Sequence, residues 1–130
     1  MDIESLRQQF RPKKVSLLFV GESPPASGRF FYDKSHMTTF TSRAFERAFD
    51  VQFSSTAEFL EFFKSKGCFL DDLSHDPVDE LDNRERQNAL QQCIEPFSHR
   101  LRDEHPDFIV VVLKKISDLV SEAVTNAGIQ

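Results

Sequence analysis

Tryptophan is absent from this sequence, tyrosine occurs once, and its 130 residues include only two cysteines and four glycines. The two cysteines, Cys68 and Cys93, are too few for a disulfide framework. They are also too few for the four thiolates of an iron–sulfur cluster or an all-cysteine zinc site. No cofactor or metal is therefore expected. No apolar run approaches the ~20 residues of a membrane helix, so no membrane partner is expected either. The opening "MDIESLRQQFRPKK" has no apolar signal core, and a cytoplasmic location is expected. A basic excess is missing too. The formal net charge of −5 counts against broad nucleic-acid binding, although the local field at a site matters more than the total.

Phenylalanine is abundant, at fourteen residues, and most of these rings must form core. Repeats, low-complexity segments and interdomain linkers are lacking, so residues 1–130 read as a single domain. Ile3, Leu6 and Phe10 have helical spacing, and Pro12 ends that segment. "KKVSLLFVG" reads as a buried strand from Val15 to Val20, stopped by Gly21. In "TSRAFERAFD" Ala44, Phe45, Ala48 and Phe49 share a helical face, with Thr41 or Ser42 as the expected N-cap. In "SSTAEFLEFFKSKG" Ser55 and Glu58 have capping-box spacing and Gly67 suits the position after the helix.

A second strand is expected over Cys68–Leu73. A helical pattern runs from Asn83 to Glu104, with a kink or a break into two helices expected at Pro96. The continuous apolar run from Phe108 to Leu113 suits a central parallel strand covered on both faces. A last helix follows, with Ile116, Leu119, Val120, Ala123 and Val124 inward and Gly128 as its stop. Strands alternating with helices predict a three-layer α/β/α sandwich around a short parallel sheet. Ligands of such sheets bind outside the carboxyl ends of the strands. Two unusual loops lie there: "GESPPASGRFFY" and "DDLSHDPVD".

In the first loop Gly21 allows a sharp turn, and Pro24 and Pro25 stiffen the segment that carries Glu22 and Ser23. A rigid turn without a ligand fits the same residues. Ser23 is not a nucleophile elbow, because Pro25 stands where that motif needs glycine. No Gly-Lys-Ser/Thr follows Gly21, which excludes a Walker-type phosphate loop. A Phe at the crevice offers a stacking face for a nucleobase, and Arg29 can hold a phosphate. Two core phenylalanines and a solvated arginine are the plain alternative.

Asp71 and Asp72 end the second strand, so alternation points them to opposite faces. One can accept from a ligand or orient water, and the other can cap the following turn. Solvated loop acids are the alternative. Ser74, His75 and Asp76 are adjacent and do not make a triad. His75, Asp76 and Asp79 have no recognised metal-ligand spacing. His36, His99 and His105 lie apart and read as surface residues.

"LLFVGESPP", "GRFF", "CFLDDLS…P" and "CIEPF" leading into "PDFIVVVL" together resemble the uracil-DNA glycosylase superfamily, in its Gly-Glu-x-Pro branch close to families 4 and 5. The likeness runs from about Val15 to Gly128. It implies an enzyme of DNA repair that flips a damaged base out of DNA and hydrolyses its N-glycosidic bond. Gly21, Glu22, Ser23, Pro24 and Pro25 then fall on the motif that wraps the base and places the attacking water. Phe31 matches the ring on which uracil stacks, and Asp72 matches the residue that reads the pyrimidine edge. The implied catalytic residues are Glu22, Ser23 and Asp72; the implied substrate-binding residues are Gly21, Pro24, Pro25, Arg29 and Phe31. The expected partner is DNA containing uracil or a deaminated purine.

Two positions depart from the family pattern. Ser23 stands where several members have an aspartate, and Asp72 where asparagine is usual. A carboxylate accepts but cannot donate unless protonated. The family's fourth strand and second, histidine-bearing motif have no counterpart before Gln130. A C-terminally truncated domain of very low activity is therefore expected, since lost leaving-group stabilisation costs several kcal/mol. The third strand would then be an open edge, and a homodimer through it is expected. A non-catalytic nucleobase- or nucleotide-binding module and a plain α/β interaction domain are the alternatives to the enzyme.

Overall fold

The computed structural model describes residues 2–33 and 35–129. Its elements run α1 (Ile3–Gln9), β1 (Leu17–Gly21), α2 (His36–Phe49), α3 (Thr56–Ser65), β2 (Cys68–Asp72), α4 (Asn83–Gln92), α5 (Ile94–Glu104), β3 (Phe108–Val111) and α6 (Ser117–Ala127). Short 3-10 turns occupy Phe31–Asp33 and Lys114–Ile116. No helix among the described residues is long and apolar enough to cross a membrane.

The sheet has three parallel strands in the order β2-β1-β3, so the fold is α/β as expected. β1 is the central strand, and its Leu18 and Val20 are fully buried. The expectation of a central third strand is corrected: β3 is an edge, with Phe108 72% exposed and Val110 also exposed. An unbroken apolar run does not by itself say whether one face or both are covered.

The chain leaves β1 for β2 on one side and later returns past β1 to β3. This reversal makes β1 a topological switch point, beyond whose carboxyl end α/β proteins place ligands. On one face of the sheet Phe19 meets Phe63 of α3 at 5.5 Å. On the other, Asp71 meets Arg100 of α5, and α5 packs on α6. The outer edge of β2 is closed by one side chain. The Tyr32 hydroxyl donates to the Leu70 carbonyl at 3.0 Å and accepts from the Leu70 amide at 2.6 Å.

Several helix ends differ from the sequence reading. α2 begins at His36, capped by Ser35 in a reciprocal box with Thr38, not at Thr41 or Ser42. Its apolar face is also only partly inward, since Ala44, Ala48 and Phe49 are exposed. The break between α4 and α5 falls at Cys93 rather than Pro96. Pro96 sits in the first turn of α5, where the missing N–H would have no intrahelical partner anyway. Ser55 caps α3 by accepting from the Glu58 amide at 3.1 Å, while the Glu58 carboxylate turns to the Ser54 hydroxyl at 2.6 Å.

Candidate functional site

The loops after β1 and β2 are laced together by four hydrogen bonds. The Leu73 amide donates to the Gly21 carbonyl at 2.8 Å and the Ser74 amide to the Glu22 carbonyl at 2.9 Å. The Val78 amide donates to the Ser23 hydroxyl at 3.2 Å, and the Ala26 amide to the Asp79 carboxylate at 3.1 Å. With two donors removed by Pro24 and Pro25, few backbone groups remain to be satisfied. The result is a stiff double loop at the carboxyl end of the sheet.

This double loop walls a cavity of about 400 Å³, within the range of small-molecule sites. Gly21, Glu22, Ser23, Pro24, Pro25, Arg29, Phe31 and Asp72 all line it. Phe30, His36, Met37, Leu70, Val112 and Leu113 contribute further wall. The structure thus brings together the residues that the resemblance implied as catalytic or substrate-binding, and adds His36, exposed as the sequence reading had it, at the cavity's edge. The walls are mainly apolar, with Glu22, Asp72, Asp79, Arg29 and His36 as ionisable groups.

Glu22 is buried and heavily compensated. Arg86 of α4 grips it through two hydrogen bonds, Nε to Oε2 at 3.1 Å and Nη2 to Oε1. Lys115 Nζ lies 3.3 Å from Oε2. Glu22 thus sits between two cationic side chains. The Ser23 hydroxyl serves as acceptor for Val78 and fixes the loop. Phe31 is 5% exposed. It lines the cavity while its ring packs against Tyr32, Phe59 and Phe63 at 5.0–6.4 Å. Arg29 is exposed at the rim.

The adjacent acids Asp71 and Asp72 are both buried and diverge as strand alternation requires. Asp71 is amply satisfied. Its oxygens take the Asp72 amide at 2.9 Å, His75 Nε2 at 2.8 Å and Arg100 Nε at 2.8 Å. Burial works against its charge, but His75 and Arg100 outweigh it and hold the carboxyl below its ordinary value. Asp72 faces the cavity, and burial pushes its carboxyl up to about 7. Its approach to β1 needs glycine there: a Cβ on Gly21 would stand 2.5 Å from Asp72 Oδ1.

Four cations of the site escape the sequence reading: Arg7, Arg86, Arg100 and Lys115. Arg7 carried a readable signal. It lies in the stripe of Ile3, Leu6 and Phe10, and an arginine on an apolar face implies a buried anion. It is 2% exposed, with Nε 3.5 Å from Asp71 and Nη2 3.6 Å from Asp72. Its guanidinium stands 5.1 Å over the Phe30 ring. The other three are joined to their acids across 29 to 93 positions of sequence, beyond the reach of any local pattern.

Ser74, His75 and Asp76 do not converge on the cavity. The Ser74 hydroxyl donates to the Asp76 carbonyl at 2.7 Å, and His75 serves Asp71. Among the described residues no group of three or more His, Cys, Asp or Glu side chains could hold a metal ion. No family model matches the chain, and neither a curated protein nor a solved structure matches it.

Proposed function

We propose that the cavity beyond β1 binds a flipped or free nucleobase and serves hydrolysis of the N-glycosidic bond of a damaged base in DNA. The observation that carries this reading is one cavity of about 400 Å³ lined at once by Gly21–Pro25, Phe31 and Asp72. A base enters beside the Phe31 ring, whose aromatic contact returns part of the few kcal/mol lost on unstacking. Asp72 contacts the polar edge of the base. Glu22 orients water toward the sugar carbon. That carbon gains the water's oxygen as its bond to the base nitrogen breaks; the base departs with the bonding electrons and takes up the proton that the water loses.

The charge layout supports a nucleic-acid ligand in a protein that is acidic overall. Arg29 stands at the rim, and Arg86 and Lys115 flank Glu22. Phosphates next to the base would meet these cations. A second reading, binding without hydrolysis, draws on a specific observation. Glu22 already holds two cations and Ser23 already accepts from Val78, which leaves less capacity to activate water.

Strand cleavage at abasic sites in uracil-, hypoxanthine- and xanthine-containing DNA separates the two readings. Release of any of these bases, lost in Glu22→Gln, supports the hydrolase. Binding of free bases without release supports the binding module. Absence of both in a folded protein removes both and leaves a plain interaction domain.

A further inference from the structure

Asp72 differs from Glu22 and from its neighbour Asp71 in having no hydrogen-bonding cation of its own. Glu22 is held by Arg86 and Lys115, and Asp71 by His75 and Arg100. The Asp72 side chain is 7% exposed, yet among the described residues no donor hydrogen-bonds either of its carboxyl oxygens. The nearest cation, Arg7, lies at 3.6 Å, and it is shared with Asp71 and with Glu4, 2.6 Å away. A buried carboxyl with unfilled hydrogen-bonding capacity, on the wall of a cavity, is directed at a ligand.

Resting on the base-binding reading above, we propose that Asp72 reads the bound base in two ways. Protonated, it pairs with an imide or lactam edge; ionised, it pairs with an edge of two N–H donors, so base preference changes with pH. A neutral carboxyl offers one donor and one acceptor, matching the N3–H and carbonyl of uracil. A carboxylate offers acceptors alone, matching the N1–H and amino group of guanine.

The groups around Asp72 leave it free to adopt either state. Arg7 of α1, His75 of the following loop and Arg100 of α5 favour the charge, while neighbouring Asp71 opposes it. Glu22, on the β1 loop, lines the same cavity with its charge already compensated. Burial is the largest influence and brings the midpoint to about 7, so both forms are populated near neutrality.

The test is binding of uridine and of guanosine at pH 6 and pH 8, by calorimetry, in the wild type and in Asp72→Asn. In the wild type uridine should weaken about tenfold over this range and guanosine tighten about tenfold. Asp72→Asn keeps one donor and one acceptor at every pH, so its uridine affinity should stay constant. A carbon NMR titration of the wild-type Asp72 carboxyl, with a midpoint near 7, tests the same point without any variant. Affinities that ignore pH, or a pH dependence that survives in Asp72→Asn, would overturn the proposal while leaving base binding intact. Failure of both nucleosides to bind either protein at either pH would remove the base-binding reading and this inference with it.

Discussion

Arg7 Nη2 stands 3.6 Å from Asp72 Oδ2, and both side chains are buried. Arg7 also lies 3.5 Å from Asp71, so one guanidinium from α1 faces the acid pair at the end of β2. Neither its Nε nor its Nη2 makes a hydrogen bond. Burying such a charge is tolerable only beside anions. Arg7→Met should therefore leave the buried Asp72 without its nearest counter-charge, take one of two arginines from Asp71, and destabilise the protein by about 3–5 kcal/mol. Urea denaturation at pH 7 measures this. A loss below about 1 kcal/mol would mean that Arg100 and His75 suffice.

Stability should also fall as pH rises from about 4 to about 7. Asp72 and Glu104 both have carboxyls pushed up to about 7 by burial, from ordinary values of 3.8 and 4.5. Over that window the unfolded chain releases these protons first, so the folded state binds more of them. Their contribution is complete below the unfolded values and is lost as pH passes through about 7. Asp71, held low, acts oppositely: its contribution is present above its unfolded value and lost in acid. Denaturation midpoints of the wild type and Glu104→Gln across pH 4–8 check this. The variant should show the shallower decline.

Tyr32→Phe isolates a backbone effect. It removes the hydroxyl that joins both polar groups of Leu70 at the outer edge of β2 and leaves the ring stacked on Phe10. Two buried backbone groups then lack partners, at a cost of about 1–3 kcal/mol each. Thermal unfolding together with hydrogen exchange at Leu70 should show the loss localised to β2.

Gly21→Ala tests the approach of Asp72 to β1. The added methyl would meet Asp72 Oδ1 at 2.5 Å, so the carboxyl must move. Base binding should weaken at least tenfold, a loss of about 1.4 kcal/mol, with circular dichroism unchanged.

The open edge of β3 is where the expected self-association can be tested. The Phe108 amide donates to the Ser16 carbonyl just before β1 and the Val112 amide to the Val20 carbonyl within it, so by alternation the polar groups of Ile109 and Val111 point outward, unpaired within the sheet. Exposed Phe108 and Val110 lie beside this edge. Sedimentation at micromolar concentration should show a dimer in the wild type and a monomer in Val110→Lys. A wild-type monomer would remove the homodimer.

Most of the fold was legible because its signals are local. Strand runs end at Gly21 and near Asp72, and the capping Ser55 and the terminating Gly67 and Gly128 sit at fixed offsets from their helices. The convergence of the two loops was legible as well, since parallel topology places both at the same end of the sheet. Strand order was not. Phe108–Val111 is more uniformly apolar than many central strands, yet only the crossover pattern makes it an edge. The cations of the site were hidden because Arg86, Arg100 and Lys115 reach their acids across tertiary distance. Asp72 was readable as a pocket acid, but its lack of hydrogen-bonded partners required coordinates.

Nucleobase occupancy of the cavity is tested most directly by titrating uridine into isotopically labelled protein at pH 6 and following amide shifts by NMR. Perturbations should cluster at Gly21, Glu22, Ser23, Phe31 and Asp72, and they should weaken in Phe31→Leu, a variant chosen because truncation to Ala would itself cost about 3–5 kcal/mol of stability. A folded wild-type protein whose spectrum stays unchanged at millimolar uridine, or changes only on a surface remote from Asp72, would contradict a base-binding cavity.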